Sequence, residues 1–329
     1  MRIENIALSD IAIDSPGWDQ FVFTYPLAPG KLTASIRAAG LQQPILLAAR
    51  ANRYFIVLGV RRLLACRELR RSEIPALVRR TDNAEDLLWL ALHEKTSTAP
   101  LNAMEKARVL RRFHEIGQHD LSALRAKLCP LLELPPTIEA VESYLFFARL
   151  PEWLQDRLAE GALSAASAAL LMPLRHDDLE AVARALFDRG QPTLQEARDM
   201  MENLLAICAR EECRPSELLA TEALHGLLSE NTLAPRERTA RLRDWLRRQR
   251  YPRLVAAENA FRELAAPLEK QAGLTLHPPR GFEGTSCQIR MQFSNEAEVE
   301  KVATGLKQAL ADKTWEKLFE LLRDGRLNT

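Results

Sequence analysis

The most constraining stretch is Tyr54-Phe55-Ile56-Val57-Leu58-Gly59-Val60-Arg61-Arg62-Leu63-Leu64-Ala65-Cys66. The apolar run Tyr54–Leu58 reads as a strand, and the run after Gly59 reads as a helix. A single glycine between them implies a sharp turn or a close approach of backbone to another group. Two arginines in the first turn of that helix stand beside its free N–H groups, which suits an anion, most naturally a phosphate. Gly-x-Arg-Arg is a common tetrapeptide and surface arginines are usually just solvated, so the surroundings decide its meaning.

The 329 residues suggest two or three domains. A hydrophobic share of 47% with 27% charged residues is that of an ordinary globular protein, and only 13 glycines among abundant Leu, Ala, Arg and Glu favour helix over sheet. The net charge is +1, so nucleic-acid binding requires a local basic patch rather than a global field. Cys66, Cys129, Cys208, Cys213 and Cys287 are scattered without a Cys-x-x-Cys pair and read as free thiols of a reducing cytoplasm. No signal-like run and no apolar stretch of about 18 residues is present, which predicts a cytoplasmic protein with no membrane contact. The six histidines are dispersed, and no Ser/His/Asp set or metal cluster emerges.

Along the chain, Ile3, Ile6, Leu8, Ile11 and Ile13 give a strand-like start, followed by turn chemistry at Asp14–Gly17. The aromatic stretch Trp18–Pro26 is expected to pack on its own domain, the alternative being a cap over a nucleotide base or a partner dock. Residues 32–80 predict helix, strand, strand, helix, strand, with a turn at Arg50-Ala51-Asn52-Arg53. In the helix over 60–70, Leu63, Leu64 and Leu69 are expected inside and the arginines outside. Further helices are predicted at Ala84–His93, 103–117, 120–128 and 137–149, with a capping box at Thr193-Leu194-Gln195-Glu196. An arginine-rich helix is expected over 229–253, its buried side at Trp245 and Leu246. Cys287, Ile289, Met291 and Phe293 alternate with polar residues as in a half-buried strand, and Val299, Val302, Leu306 and Leu310 follow at helical spacing.

The order Ser35-Ile36, Gly40-Leu41-Gln42-Gln43-Pro44-Ile45, Gly59-Val60-Arg61-Arg62 and Ile74-Pro75 resembles the N-terminal domain of the ParB family of chromosome- and plasmid-partition proteins. The likeness continues through Leu101-Asn102-Ala103-Met104-Glu105-Lys106-Ala107. It is most specific at Leu150-Pro151-Glu152-Trp153-Leu154-Gln155 and Glu160-Gly161-Ala162-Leu163-Ser164-Ala165. It implies an α+β, mostly helical fold in three parts: a small α/β domain of the ParB/sulfiredoxin kind over 1–98, a helical domain with a helix-turn-helix over 99–228, and a small α/β C-terminal module over 229–329 that pairs two chains.

The resemblance also implies a site for CTP with Mg²⁺. Gly59, Arg61 and Arg62 match the phosphate-facing box, Ser35, Gly40, Gln43 and Pro44 the segment lining the nucleotide, and Glu94 a metal-site position. Val60 stands where the family has Glu, Lys95 where it has Asn, and Thr98 where it has Arg. An ammonium at 95 repels Mg²⁺ but neutralises phosphate directly, so at most a weak CTPase is expected. Sulfiredoxin places a cysteine in the glycine box; Val60 occupies that position, which argues against redox catalysis.

For DNA, the segment matching the recognition helix offers Thr137, Ser143 and Tyr144 but also Glu139 and Glu142, and no Arg or Lys. Eight arginines between 236 and 253 face two acids, and Arg241, Arg247, Arg248 and Arg250 are the candidate phosphate contacts. The alternative is a solvated face laced with i,i+4 pairs. The resemblance implies a DNA-associated homodimer acting in partition or replicon regulation, switched by CTP, with a partition ATPase as a further partner. The alternative function is an adaptor or nucleotide-sensing protein with a degenerate CTP site that does not read DNA.

Overall fold

The computed structural model describes residues 2–50, 53–81, 83–230, 232–310 and 314–324, apart from the side chains of residues 271, 272, 301, 309, 314 and 324. Ala51 and Asn52 of the expected turn lie outside these residues. The chain forms two compact units, Met1–Ala183 and Arg184–Thr329.

The first unit starts with β1 (Ile3–Ala7), α1 (Lys31–Ala39), β2 (Ile45–Arg50), β3 (Arg53–Leu58), α2 (Val60–Glu68) and β4 (Glu73–Arg80). The strands make one sheet in the order β1-β4-β2-β3, with β2 parallel to β4 and the other pairs antiparallel. β2 is apolar at every position from Ile45 to Ala49, as a strand covered on both faces must be. Period-two alternation divides its side chains between two cores. Ile45 and Leu47 join Ile56, Ile74 and Ala76 under Ile36 of α1 and Leu63, Ala65 and Cys66 of α2. Leu46 and Ala48 join Val57 on the other face, beneath a helical layer.

That layer consists of α3 (Ala84–Thr98), α4 (Ala103–Glu115), α5 (Leu121–Lys127), α6 (Ile138–Phe147), α7 (Glu152–Ala159), α8 (Ala165–Ala169) and α9 (His176–Ala183). Leu87, Leu88, Ala91 and Leu92 of α3 meet Val109, Leu110 and Phe113 of α4 and Val141 of α6 in one core. Side-chain oxygens of Asn83, Asn102, Asp120 and Thr137 cap α3, α4, α5 and α6. α3 runs past the expected end at His93 to Thr98, and the hydroxyls of Thr96, Ser97 and Thr98 donate back to carbonyls of the preceding turn. Glu94 and Lys95 therefore sit on a helix.

The second unit holds a π-helical turn at Arg184–Asp188, then α10 (Leu194–Glu211), α11 (Pro215–Leu219), α12 (Glu222–Ser229), α13 (Pro235–Arg250) and α14 (Pro252–Ala272). β5 (Thr275–His277), β6 (Gln288–Arg290), α15 (Glu296–Leu310) and α16 (Thr314–Asp324) follow. Thr193 and Glu196 form the expected capping box on α10. The arginine-rich helix starts only at Pro235, which suits a first helical position, and ends before Tyr251. Leu246 is buried and Trp245 half-buried. Phe261, Ala265 and Leu268 of α14 pack with Leu276, Phe282, Leu318 and Leu322.

The expected half-buried strand over 287–293 is shorter and more open. β6 is three residues paired only with β5, and Ile289, Met291 and Phe293 are 41%, 38% and 44% exposed. The alternation is real, but among the described residues its apolar side is only partly covered.

Candidate functional site

Gly59 ends β3 and caps α2 with φ +89° and ψ 30°, in the left-handed region. A Cβ there would lie 3.0 Å from Ile45 Cγ2 and from the Arg62 guanidinium. The turn demands glycine for backbone and for space alike. The two following arginines do not both face outward, as the apolar pattern of α2 predicts. Arg61 donates through Nε and Nη2 to the Pro26 carbonyl at 3.1 and 2.8 Å. Arg62 reaches back along β2 and donates to the carbonyls of Gln43 at 3.1 Å and Pro44 at 2.8 Å. Burial lowers the Arg62 pKa, and the nearby Glu94 charge works against that shift.

A cavity of about 50 Å³ lies at this turn, walled by Phe21–Thr24, Val57–Val60, Ala91, Glu94 and Lys95. Of the nucleotide-site residues expected from sequence, Gly59, Glu94 and Lys95 line it; Arg61, Arg62, Gln43 and Pro44 form the hydrogen-bonded group beside it. Ser35 is exposed on α1, and neither Ser35 nor Gly40 is in the lining. α1, which carries Ser35, packs with α2 on the face of the sheet away from α3.

The aromatic stretch packs on its own domain. Phe21, Val22, Phe23 and Tyr25 are all buried, each of the larger ones contributing about 2–3 kcal/mol of apolar transfer. The stretch is a strap fastened to α4 and α7. Asn102 Nδ2 donates to the Tyr25 carbonyl at 2.9 Å, and the Tyr25 hydroxyl donates to Asp156 at 2.6 Å. Arg108 lies 4.6 Å from the centre of the Tyr25 ring. Burial and the Asp156 carboxylate push the Tyr25 pKa upward.

Lys95 does not stand free for phosphate. Its Nζ is 2.8 Å from Glu105, which is 5% exposed. Glu105 also accepts from the backbone N–H of Asn102 at 3.2 Å, closing a capping box, and from that of Tyr25 at 3.3 Å. The Asn102-x-x-Glu105 spacing announces the box in the sequence; nothing there announces the lysine. Phe21–Phe23 are buried, as packing on their own domain requires, and with Thr24 they also wall the cavity, where the alternative reading of the stretch put a cap over a nucleotide base.

At the expected DNA-reading helix, Thr137 spends its hydroxyl oxygen on the Ala140 N–H as the cap of α6. Ser143 turns its hydroxyl onto the Glu139 carbonyl at 2.7 Å. Tyr144 is half-buried against Phe147, with its pKa raised by burial. Glu139 and Glu142 are exposed.

The arginine run is largely paired within its own unit. Arg241 meets Glu237 at 2.7 Å, Arg248 meets Asp244 at 2.8 Å, and Arg236 and Arg243 share Glu196. Arg247 holds Glu258 through two bonds of 2.7 and 2.6 Å, which raises the arginine's pKa and lowers the glutamate's. Arg250 donates to Asn203 at 2.9 Å. Buried Arg238 donates to the Leu227, Leu228 and Glu230 carbonyls at the end of α12.

The family model for the ParB N-terminal domain matches residues 29–95, which span the strand–Gly59–helix turn and most of α3. These residues are thus a ParB N-terminal domain. The chain is 33% identical over 177 residues to the probable chromosome-partitioning protein ParB of Mycobacterium leprae, covering 51% of this chain and 50% of that one. It is 29% identical over 158 residues to the corresponding protein of Rickettsia bellii, covering 48% and 51%. It is 24% identical over 195 residues to a nucleoid occlusion protein of Bacillus cereus, covering 59% and 63%. The chain thus spans about half the length of these two partition relatives. Among solved structures, it is 22% identical to C-terminally truncated Caulobacter crescentus ParB complexed with CTP-gamma-S, covering 53% of this chain and 93% of that one at a TM-score of 0.25. For the same protein complexed to the centromeric parS site the values are 19%, 60%, 98% and 0.33.

Proposed function

We propose that the protein is a DNA-associated partition factor of the ParB kind whose N-terminal domain takes a nucleoside triphosphate at the Gly59 turn, with CTP as the nucleotide its relatives suggest. The observation that carries this reading is the left-handed Gly59. It opens the first turn of α2 beside two arginines that at present bond only neutral carbonyls. Phosphate oxygens would replace those carbonyls with charge-assisted bonds. The cavity is small, so a nucleotide would either extend beyond it or displace the wall formed by Phe21–Thr24.

The donor set does not suit Mg²⁺. Glu94 is the single carboxylate in the lining, an ammonium stands next to it, and no group of three or more His, Cys, Asp or Glu that could hold a metal occurs among the described residues. Arg61 and Arg62 supply the countercharge instead, while Lys95 stays with Glu105, and binding proceeds without efficient hydrolysis. The exposed apolar row Ile289, Met291 and Phe293 supports pairing of two copies through the C-terminal module.

A second reading is an adaptor that does not read DNA. The packed Ser143 and Tyr144, the exposed Glu139 and Glu142 and the paired arginines of α13 favour it. Calorimetric titration with CTP, ATP, GTP and UTP, with Mg²⁺ and with chelator, tests the nucleotide reading. CTP-selective binding that persists in chelator and is abolished by Arg61→Ala supports it; no binding of any nucleotide overturns it. Salt-dependent binding of a duplex then separates partition factor from adaptor.

A further inference from the structure

We propose that a second cavity, built on α4, binds a small phosphate monoester. It encloses about 220 Å³ and is walled by Asp19, Met104, Arg108, Arg111, Arg112 and Gln155, with Ala148 at its edge. The sequence signal is Arg108-x-x-Arg111-Arg112, a spacing that sets three guanidinium groups on one helix face.

Their internal partners do not balance them. Arg111 is paired with Glu115 at 2.8 Å, and Arg112 with Asp19 at 2.9 Å and more loosely with Glu115 at 3.8 Å. Arg108 has no carboxylate within ion-pair distance among the described residues. It donates to the Thr24 carbonyl at 2.8 Å and lies over the Tyr25 ring. Arg108 alone of the three thus lacks an ion pair among the described residues, feeling the Asp19 and Glu105 carboxylates only at longer range. Burial lowers its pKa, the mark of a cation held away from water.

A guanidinium without an ion-pair partner is costly to set away from water, and an anion in the cavity lowers that cost. Three planar forks converging on one space match the tetrahedral oxygens of phosphate. A terminal phosphate presents three unesterified oxygens to a concave wall, whereas a duplex backbone presents two on a convex surface, so the cavity favours a small ligand. Asp19 is then a displaceable internal counter-ion, holding Arg112 until a more highly charged group takes its place.

The test is calorimetric titration of the full chain with inorganic phosphate and with a nucleoside 5′-monophosphate. The wild type binds both. Arg108→Gln weakens binding by about tenfold or more, as loss of a charged hydrogen-bond donor predicts. Asp19→Asn tightens it several-fold by removing the competitor, and decides the matter if Arg108→Gln fails to fold. Arg61→Ala leaves phosphate affinity unchanged, which separates this site from the Gly59 cavity. Absence of phosphate binding overturns the proposal, as does an Asp19→Asn variant that binds more weakly. Release of phosphate by a short duplex at equal phosphate concentration also overturns it, since the cavity would then serve a DNA backbone.

Discussion

Lys95→Met is the most informative single change at the Gly59 cavity. It keeps the aliphatic stem and removes the ammonium that sits 2.8 Å from Glu105. Glu105 retains two backbone N–H donors, from Asn102 and Tyr25, but loses its countercharge. Removing one partner of a fully buried pair costs about 3–5 kcal/mol, and a charge-assisted hydrogen bond contributes about 1.5–3. The Lys95 side chain is 24% exposed, so water reaches the vacated position and the cost falls near the bottom of that range, about 2–3 kcal/mol. For a unit of this size that corresponds to a midpoint lowered by about 5–10 °C. Thermal unfolding followed by circular dichroism gives the shift, and Glu105→Gln completes a double-mutant cycle. In Lys95→Met/Glu105→Gln no unpaired charge remains buried, so the double variant is more stable than the sum of the single losses by about 1–2 kcal/mol. A Lys95→Met variant within about 0.5 kcal/mol of wild type, or strict additivity in the cycle, refutes the idea that this pair holds α3 to α4.

Gly59→Ala is expected to cost about 2–3 kcal/mol, from its positive φ and the contact with Ile45, whereas Gly226→Ala, in open space on α12, is neutral or mildly stabilising; comparable midpoints for the two variants in denaturant titrations contradict this. Arg247–Glu258 makes stability pH-dependent. The folded-state pKa of Glu258 is depressed, so its contribution is present above the ordinary carboxylate value of about 4.3 and is lost as pH falls through the folded value. The difference in midpoint between wild type and Glu258→Gln therefore shrinks from about pH 5 towards pH 2, and a constant difference over that window argues against the pair. Because Arg247 and Arg248 are already paired, replacing both with alanine leaves the salt dependence of duplex binding unchanged; a slope reduced by about two shows instead that they contact phosphates.

The order of strands and helices over residues 32–80 was legible because each short apolar run is bounded by a glycine, a proline or a polar turn, and the buried β2 tolerates no polar residue between Ile45 and Ala49. Capping boxes are local and could be read directly, as at Thr193 and Glu196. The arginine targets could not. Arg61 and Arg62 bond carbonyls of Pro26, Gln43 and Pro44, and a carbonyl belongs to every residue alike. Lys95 pairs with Glu105 only because α3 and α4 fold against each other, and Arg247 finds Glu258 across a helix boundary. At Ile289, Met291 and Phe293 the alternation gave the face but carried no information on whether the chain supplies a cover for it.

The strap over residues 19–25 is one short length of chain with a wall in each of two cavities. Phe21–Thr24 close the Gly59 cavity, and Asp19 stands in the arginine-lined one. Between them, the Thr24 carbonyl takes a bond from Arg108. If both cavities take the occupants proposed for them, an occupant that draws Arg108 or Arg112 away from the strap would loosen the wall of the other cavity. By reciprocity the second would change the affinity of the first by the same factor. Such a chain would behave as a coincidence detector, two inputs read through seven residues that belong to neither helix nor strand.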